Sequence, residues 1–166
     1  IQYAGFTPLS SITLRNKAIG EGEPDQGQYD TTTQSAFAHG AAMLVSREVL
    51  EIVGPMSEEY FLYYEEMDWS CRFRQAGYEI LYNPVQVIYH KESRSTGQSS
   101  PLKTYYRTRN RLRYAHKFNT GISKYITISY LIALVGCRDL VRHRISNRVD
   151  LAKSVCRAIT DYFLNR

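Results

Sequence analysis

The sequence predicts an α/β fold followed by a helical C-terminal extension. Apolar residues recur at helical spacing in residues 65–76 and 151–164, whereas residues 78–90 alternate between apolar and polar in two short runs typical of strands. The chain has 166 residues, of which 43% are hydrophobic and 22% charged, so it is long enough for a folded core. This composition excludes a disordered chain.

Early in the chain, residues 37–45 are small and apolar and predict a buried strand. Gly40 within this run allows the close approach of a neighbouring backbone or a ligand. Ser46 is expected to cap a short helix over residues 47–53, which Gly54 ends.

The most unusual stretch runs from Tyr60 to Asp68, where four aromatic residues in five positions precede three carboxylates. A carboxylate at the edge of an apolar wall has a pKa that burial can move toward neutrality, as a general base requires. The alternative is structural, because acids suit the positive end of a helix dipole. Spacing alone leaves both interpretations open.

A helix is expected from Glu65 to Ala76, with Gly77 as its end. Its predicted buried stripe consists of Trp69, Phe73 and Ala76. On another face, Asp68 and Arg72 have the i,i+4 spacing of an ion pair, so a structural role is favoured for Asp68.

Two strands are predicted at residues 78–82 and 85–90, joined by a turn at Asn83-Pro84. His90 ends the second strand, just before a loop, where functional sites are often built. A lone histidine at such a position is otherwise a packing or surface residue. Residues 91–104 then predict a long polar loop, either disordered or a lid.

Charge divides the chain into two halves. Residues 1–92 hold 6 basic and 13 acidic residues, whereas residues 93–166 hold 15 basic and 3 acidic residues. The basic half includes a predicted helix at residues 105–118, whose basic face is either simply solvated or binds an anion. Phosphate groups, anionic lipids and nucleic acids are the candidate partners.

The C-terminal residues predict further helices. Residues 125–137 form an apolar run shorter than the roughly 20 residues that span a bilayer, so a core or interfacial helix is expected. Basic residues around this run favour contact with an anionic membrane surface. Nucleic-acid binding is disfavoured, because the basic residues accompany apolar helices rather than a sheet with exposed aromatics. The three widely spaced cysteines indicate neither a disulfide framework nor a zinc site, and suggest a reducing, cytoplasmic setting.

A series of motifs between residues 37 and 115 carries a family resemblance. In order, they are Gly40 to Leu50, Val53-Gly54, Phe61 to Trp69, Arg72, Ala76-Gly77-Tyr78, Pro84, Tyr89-His90, Tyr105-Tyr106 and Arg109-Asn110-Arg111. This succession resembles the C-terminal half of the family 2 inverting glycosyltransferases, particularly the bacterial rhamnosyltransferase-like branch.

The resemblance implies a GT-A fold, an α/β sandwich whose N-terminal half binds the nucleotide and carries an Asp-x-Asp metal motif. No Asp-x-Asp occurs in this chain. Residues 1–118 are therefore expected to form the acceptor-binding and catalytic-base half, part of a mixed sheet with flanking helices. Residues 119–166 would form a helical extension, and the isolated chain is expected to be inactive.

The resemblance also implies an activity: inverting transfer of a sugar from a nucleotide-sugar donor to a saccharide or lipid-linked acceptor, in cell-surface polysaccharide synthesis. The expected location is cytoplasmic, peripheral at the inner face of the cell membrane. The alternative is a non-catalytic module that docks on an anionic membrane surface or on a partner protein.

Site residues follow from the same resemblance. Glu66 takes the place of the family's aspartate base, with Glu65 the second candidate. His90 matches a histidine that completes a metal site for Mn²⁺ or Mg²⁺ together with the missing Asp-x-Asp motif. The remaining assignments are Arg109, Arg107, Lys103 and Arg94 for the donor diphosphate, and His39, Gly40 and Tyr64 for the acceptor.

Overall fold

The structure, a computed structural model, describes residues 1–90 and 100–164. The chain divides into two compact units. The first, here the N-terminal unit, contains Ile1–Leu9, Arg15–Glu59 and Glu65–His90. The second, here the helical unit, contains Ser10–Leu14, Tyr60–Tyr64 and the described residues from 100 onward. The functional division expected at residue 118 stays a prediction.

The N-terminal unit mixes helices with a small antiparallel sheet. Strand β1 (Thr33–Gln34) pairs with strand β2 (Leu81–Tyr82), so that Thr33 lies opposite Tyr82 and Gln34 opposite Leu81. The mixed helix and strand content agrees with an α/β fragment. The larger GT-A sheet remains an expectation.

The strand predicted at residues 37–45 is wrong. A turn forms there instead, in which the backbone N–H of Ala42 donates to the carbonyl of His39 at 3.1 Å. The backbone N–H of Ala41 also donates to Nδ1 of His39, at 3.1 Å. Glycine and alanines favour strands weakly, and the histidine side chain offers the backbone a local alternative to a sheet ladder.

The two strands predicted at residues 78–82 and 85–90 are largely wrong. Only β2 forms, and residues 85–90 are exposed and make no strand pairing with the described residues. A strand gains stability only from neighbours that pair with it and cover its apolar face. The predicted turn is present, because Oδ1 of Asn83 accepts the backbone N–H of Val85 at 3.1 Å.

Two short helices of this unit form where local signals predict them. Helix α1 (Arg47–Val53) begins at Ser46, whose hydroxyl accepts the N–H of Val49, and ends at Gly54 with φ +79°. Helix α2 (Glu65–Gln75) is followed by Gly77, with φ +87°.

Helix α2 anchors the core of this unit. The rings of Trp69 and Phe73 lie 4.7 Å apart and are both buried, as predicted. The Trp69 indole also donates to the carbonyl of Gly54 at 2.8 Å, which ties α2 to the end of α1. Ala76, the third residue of the predicted stripe, is exposed because the helix ends at Gln75.

The helical unit begins with α3 (Pro101–Phe118) and α4 (Gly121–Tyr130). A π-helical segment (Leu131–Gly136) leads directly into α5 (Cys137–Ile145), and α6 (Val149–Leu164) follows. Helix α6 packs against α3 and α5. The residues of α6 at its predicted apolar positions are buried: Leu151, Val155, Ala158 and Tyr162.

The polar loop predicted over residues 91–104 is wrong at its end. Ser100 caps α3 by accepting the N–H of Lys103 at 3.2 Å, and Pro101 occupies the first turn. The helix therefore begins four residues before the expected start at Tyr105. Within the described part of the chain, no helix is both long enough and apolar enough to cross a membrane.

Candidate active site

Glu66 occupies the first turn of α2, beside Gly40. A Cβ at position 40 would lie 4.0 Å from Cβ, Cγ and Cδ of Glu66, so the glutamate side chain lies over the glycine. Burial, followed by the negative charge of Glu65, raises the pKa of Glu66 from its ordinary value of 4.5 to about 7. At neutral pH this carboxyl is therefore divided between its protonated and ionised forms.

Glu65 precedes it and has a buried oxygen. Its Oε2 atom has no hydrogen-bond partner among the described residues. Buried polar oxygens in folded proteins nearly always have a donor, so this unsatisfied oxygen is an exception. The two adjacent residues thus combine a carboxyl whose pKa lies near neutrality with a buried oxygen that lacks a described donor.

Two histidines lie close together in the same unit. The rings of His39 and His90 are 6.0 Å apart, edge to face. His39 also stacks on Phe6 at 5.9 Å, with only 10° between the rings. His90 is exposed, and its Nδ1 lies 3.2 Å from the side-chain amide of Gln2. Neighbouring residues of this turn therefore contact both groups: His39 lies beside His90, and Gly40 lies beside Glu66.

A cavity of about 1190 Å³ lies within the N-terminal unit. Both histidines line it, whereas Glu66 does not. Among the described residues that line the cavity there is no Lys or Arg. Three acids and five tyrosines line it. These are Asp25, Asp30, Glu79, Tyr3, Tyr29, Tyr78, Tyr82 and Tyr89. Carboxylates accept hydrogen bonds from hydroxyl groups and aromatic faces cover apolar C–H surface, so this wall suits a neutral polyhydroxylated ligand better than a phosphate.

The described residues do not form a metal site by themselves. Among them, no group of three or more His, Cys, Asp or Glu side chains is arranged to hold a metal ion. His39 and His90 could supply imidazole ligands, but the carboxylates or further ligands would have to come from other residues.

The aromatic run is held in an unusual backbone conformation within the helical unit. Phe61, Tyr63 and Tyr64 have φ values of +60°, +66° and +78°, which non-glycine residues rarely adopt. The fully buried side-chain amide of Asn110 donates to the carbonyls of Tyr60, Leu62 and Tyr63, at 2.8, 2.7 and 2.9 Å. The two N–H groups of this amide are thus shared among three carbonyls, which fixes the turn and offsets part of its strain.

Sequence reasoning missed this role of Asn110. The residue lies in the motif Arg109-Asn110-Arg111, which is part of the family resemblance and in which only Arg109 was assigned a role. The sequence around Asn110 contains no signal for this role, because the carbonyls that it binds lie 47 to 50 positions earlier in the chain.

Arg109, one of the four residues predicted to contact the donor diphosphate, has extensive contacts within the helical unit. Its Nε donates to Oδ1 of Asn110 at 3.0 Å and its Nη2 to the carbonyl of Tyr60 at 3.1 Å. Its guanidinium also lies 4.7 Å from the ring centre of Tyr106 and 5.5 Å from that of Tyr105. These contacts give Arg109 a clear structural role beside the aromatic turn.

The other predicted site residues are divided between the two units. Lys103 Nζ lies 5.8 Å from the ring centre of Tyr63, and Arg107 is exposed on α3. Tyr64 packs its ring 5.7 Å from that of Tyr114. Arg94 lies outside the described residues. The structure thus brings Glu65, Glu66, Gly40, His39 and His90 into one unit, and Lys103, Arg107, Arg109 and Tyr64 into the other.

Asp68 and Arg72 form an ion pair on α2. Nε of Arg72 donates to Oδ1 of Asp68 at 2.8 Å, and the aspartate side chain is fully buried. The same guanidinium donates to the carbonyls of Val53 at 2.8 Å and Pro55 at 2.6 Å. The pair therefore joins α2 to the end of α1, a structural task.

Comparisons with known proteins point to one class of enzyme. The chain is 32% identical over 100 residues to the low-salt glycan biosynthesis hexosyltransferase Agl10 of Haloferax volcanii, which covers 58% of this chain and 33% of that protein. It is 36% identical over 59 residues to an N-acetylglucosaminyl-diphospho-decaprenol L-rhamnosyltransferase of Mycobacterium tuberculosis, covering 36% of this chain and 19% of the relative. It is 34% identical over 88 residues to the dTDP-rhamnosyl transferase RfbF of Shigella flexneri, covering 48% and 30%.

The chain is related to glycosyltransferases. The matched regions span a third or less of the length of these relatives. No family model matches the chain, and no solved structure is significantly similar to it.

Proposed function

We propose that this chain is the acceptor-binding and catalytic-base half of an inverting glycosyltransferase, with Glu66 as the general base. The observation that carries the proposal is the half-buried Glu66 carboxyl beside Gly40, whose pKa is raised to about 7. A general base works best when its pKa lies near the operating pH. The relatedness to glycosyltransferases supplies the reaction class.

In the proposed reaction, a hydroxyl oxygen of the acceptor attacks the anomeric carbon of the donor sugar from the side opposite the leaving group. The bond to the nucleoside diphosphate breaks, and the configuration at the anomeric carbon inverts. Ionised Glu66 accepts the hydroxyl proton as the new glycosidic bond forms.

The acceptor in this proposal is a saccharide or a lipid-linked saccharide whose further sugar units occupy the cavity beside His39 and His90, which Glu66 does not line. The reacting hydroxyl of the acceptor reaches Glu66 at the adjoining turn of Gly40. The support is the described cavity wall, rich in tyrosine and acids and without Lys or Arg. A ligand rich in hydroxyl groups finds acceptors there, whereas a diphosphate would meet like charge. His39 and Gly40 are the proposed acceptor contacts.

The proposal also covers the family, the fold, the residues that contact the donor diphosphate and the metal. The enzyme would belong to family 2 with a GT-A fold, and its nucleotide-binding half would come from residues outside those described. The donor diphosphate would be met by the basic residues Arg94, Lys103, Arg107 and Arg109. A divalent metal, Mn²⁺ or Mg²⁺, would neutralise the leaving diphosphate, with His90 as one ligand and the others supplied by that second half.

The test is sugar transfer by the polypeptide that contains this chain. Replacing Glu66→Gln should lower kcat by about 100-fold to 10,000-fold, the usual contribution of a general base, while the Kd for the nucleotide-sugar donor stays within about twofold. Glu58→Gln, at an exposed glutamate, is the matched control and should leave both values unchanged. Full turnover by the Glu66 variant would exclude Glu66 as the base.

A further inference from the structure

One side of the helical unit exposes a row of large apolar residues. A single helical rod runs without a break from Gly121 to Ile145 through α4, the π-helical segment and α5. Its exposed apolar side, here called the outer face, includes Ile122 with 77% of its surface exposed and Ile145 with 82%. The remaining members of the outer face are Tyr125, Ile126, Leu134 and Val141.

The opposite side of the rod is already used for packing. Ile128, Leu131 and Val135 are buried there, and Gly136 approaches α6 so closely that a Cβ would lie 3.2 Å from Cδ1 of Ile159. The outer face is therefore not the side that holds the rod to the rest of the helical unit. An apolar row of this length on a solvent-facing side marks an interaction surface.

The π-helical segment helps to place the apolar residues of both helices on this one side. At about 100° per residue, an uninterrupted α-helix would turn Val141 about 100° away from Ile122 around the rod. Residues in a π-helix turn less, because each hydrogen bond spans five residues. Six residues wound in this way, Leu131–Gly136, reduce the offset between the two helices.

Positive charge borders the outer face. The rod contains Lys124, Arg138, Arg142 and Arg144 against the single acid Asp139. Arg138 and Arg142 lie 2.8 and 3.7 Å from that aspartate, and their side chains remain 53% and 63% exposed. A large apolar stripe with arginines beside it is the arrangement of helices that lie in the surface of an anionic bilayer.

We propose that the outer face of residues 121–145 docks on an anionic lipid bilayer, with the rod parallel to the membrane surface. A second copy of the chain is disfavoured as the occupant, because it would offer the arginines no free acid: Asp139, the one acid of residues 121–145, already pairs with Arg138 and Arg142. The proposal is independent of the catalytic role of Glu66, since it rests on residues of the helical unit alone.

Co-sedimentation of the full chain with vesicles tests the surface. Vesicles of phosphatidylcholine with 30 mol% phosphatidylglycerol should bind the chain, and raising the salt or removing the anionic lipid should release it. Combined Ile122→Glu and Ile145→Glu replacements should lower the partition coefficient at least tenfold. Ile52→Glu on α1, at an isoleucine that is also exposed, is the control and should change it less than twofold. Far-ultraviolet circular dichroism checks that the variants fold.

A second comparison tests the charge. Arg144→Ala should lower the partition coefficient about fivefold, because one arginine near an anionic surface contributes on the order of 1 kcal/mol. Arg47→Ala on α1, whose side chain is 91% exposed, should leave it within twofold. Equal loss from both variants would mean that net charge alone drives binding, which would overturn the assignment to the outer face.

A fluorophore reports the orientation directly. Cys137 precedes Val141 by one helical turn and is exposed, whereas Cys156 is exposed on α6. An environment-sensitive dye on Cys137, with Cys156→Ser, should shift to the blue on addition of anionic vesicles. The same dye on Cys156, with Cys137→Ser, should not. Equal shifts at both sites, equal binding to neutral vesicles, or no binding at all would overturn the proposal, as would dimerisation that the double glutamate variant abolishes.

Discussion

The side chain of Glu66 lies so close to Gly40 that a methyl group on the glycine would meet three of the glutamate carbons at 4.0 Å. This separation is ordinary van der Waals contact, so the position has room for one methyl group. Such a methyl group would cover the glutamate further and remove water from its surroundings. The size of the side chain at position 40 therefore influences the pKa of Glu66.

Gly40→Ala should raise the pKa of Glu66 further, because added burial disfavours the charged carboxylate. Stability should stay the same or rise by up to about 1 kcal/mol, since alanine has less backbone entropy to lose on folding. Carboxyl ¹³C NMR titration measures the pKa, and urea unfolding measures the stability. An unchanged or lower pKa would contradict the proximity of the two residues.

Gly77→Ala provides the matched comparison. Gly77 has nothing within 4 Å of its would-be Cβ, but its φ is +87°. Its N–H donates to the carbonyl of Arg74 at 3.0 Å, and the next N–H donates to that of Phe73 at 3.0 Å, the pairing that closes a helix end. This variant should cost about 1 to 2 kcal/mol through backbone strain alone, with no effect on the pKa of Glu66.

The raised pKa of Glu66 also predicts a pH dependence of stability. The folded carboxyl, with a pKa of about 7, holds its proton at pH values where the unfolded chain, near 4.5, has lost it. The contribution of Glu66 to the free energy of unfolding is therefore fully present below pH 4.5 and is lost as the pH rises to about 7. The loss amounts to about 3 kcal/mol.

Glu66→Gln removes this dependence. At pH 8 the variant should be more stable than the original chain by up to about 3 kcal/mol, and at pH 4 the two should be nearly equal. Urea unfolding at a series of pH values provides the measurement. A variant that loses stability at pH 8 would show that the ionised carboxylate is favourably bound rather than destabilised by burial.

Arg72→Met should cost about 3 to 5 kcal/mol of unfolding free energy. It removes the guanidinium from a fully buried Asp68 carboxylate and breaks the link to the end of α1. Arg47→Met is the control, because the Arg47 and Glu51 side chains are 91% and 70% exposed at the same i,i+4 spacing. It should cost less than about 0.5 kcal/mol. Similar losses from both would contradict a structural role for the buried pair.

Asn110→Ala should cost about 2 to 4 kcal/mol, because three backbone carbonyls of the aromatic turn lose a donor and the strained φ values are no longer held. Arg107→Ala, at an exposed position on the same helix, should change stability by less than about 0.5 kcal/mol. Chemical denaturation measures both. A small effect of Asn110→Ala would mean that the turn is held by other contacts.

Features encoded within a few residues were predictable from the sequence. The cap at Ser46, the helix end at Gly77 and the pairing of Asp68 with Arg72 each depend on neighbours no more than four positions away. The Ser100-Pro101 start of α3 belongs to the same class. The sequence prediction places a loop there instead, because the surrounding serines and glycine favour one.

Long-range features were not predictable. Residues 85–90 alternate like a strand, but a strand forms only when another segment pairs with it. Asn110 bonds to carbonyls 47 to 50 positions earlier, which no periodicity reveals. The raised pKa of Glu66 depends on its burial beside Gly40, 26 positions away. The sequence therefore predicts Glu66 as a candidate base but does not predict its pKa.

The pH dependence of kcat/KM for sugar transfer by the polypeptide that contains this chain tests the central claim most directly. Activity should fall on the acid side with an apparent pKa of about 7, as Glu66 becomes protonated, and Gly40→Ala should move this limb to higher pH. An acid limb near pH 4.5, or one that Gly40→Ala leaves in place, would contradict the assignment of Glu66 as the base.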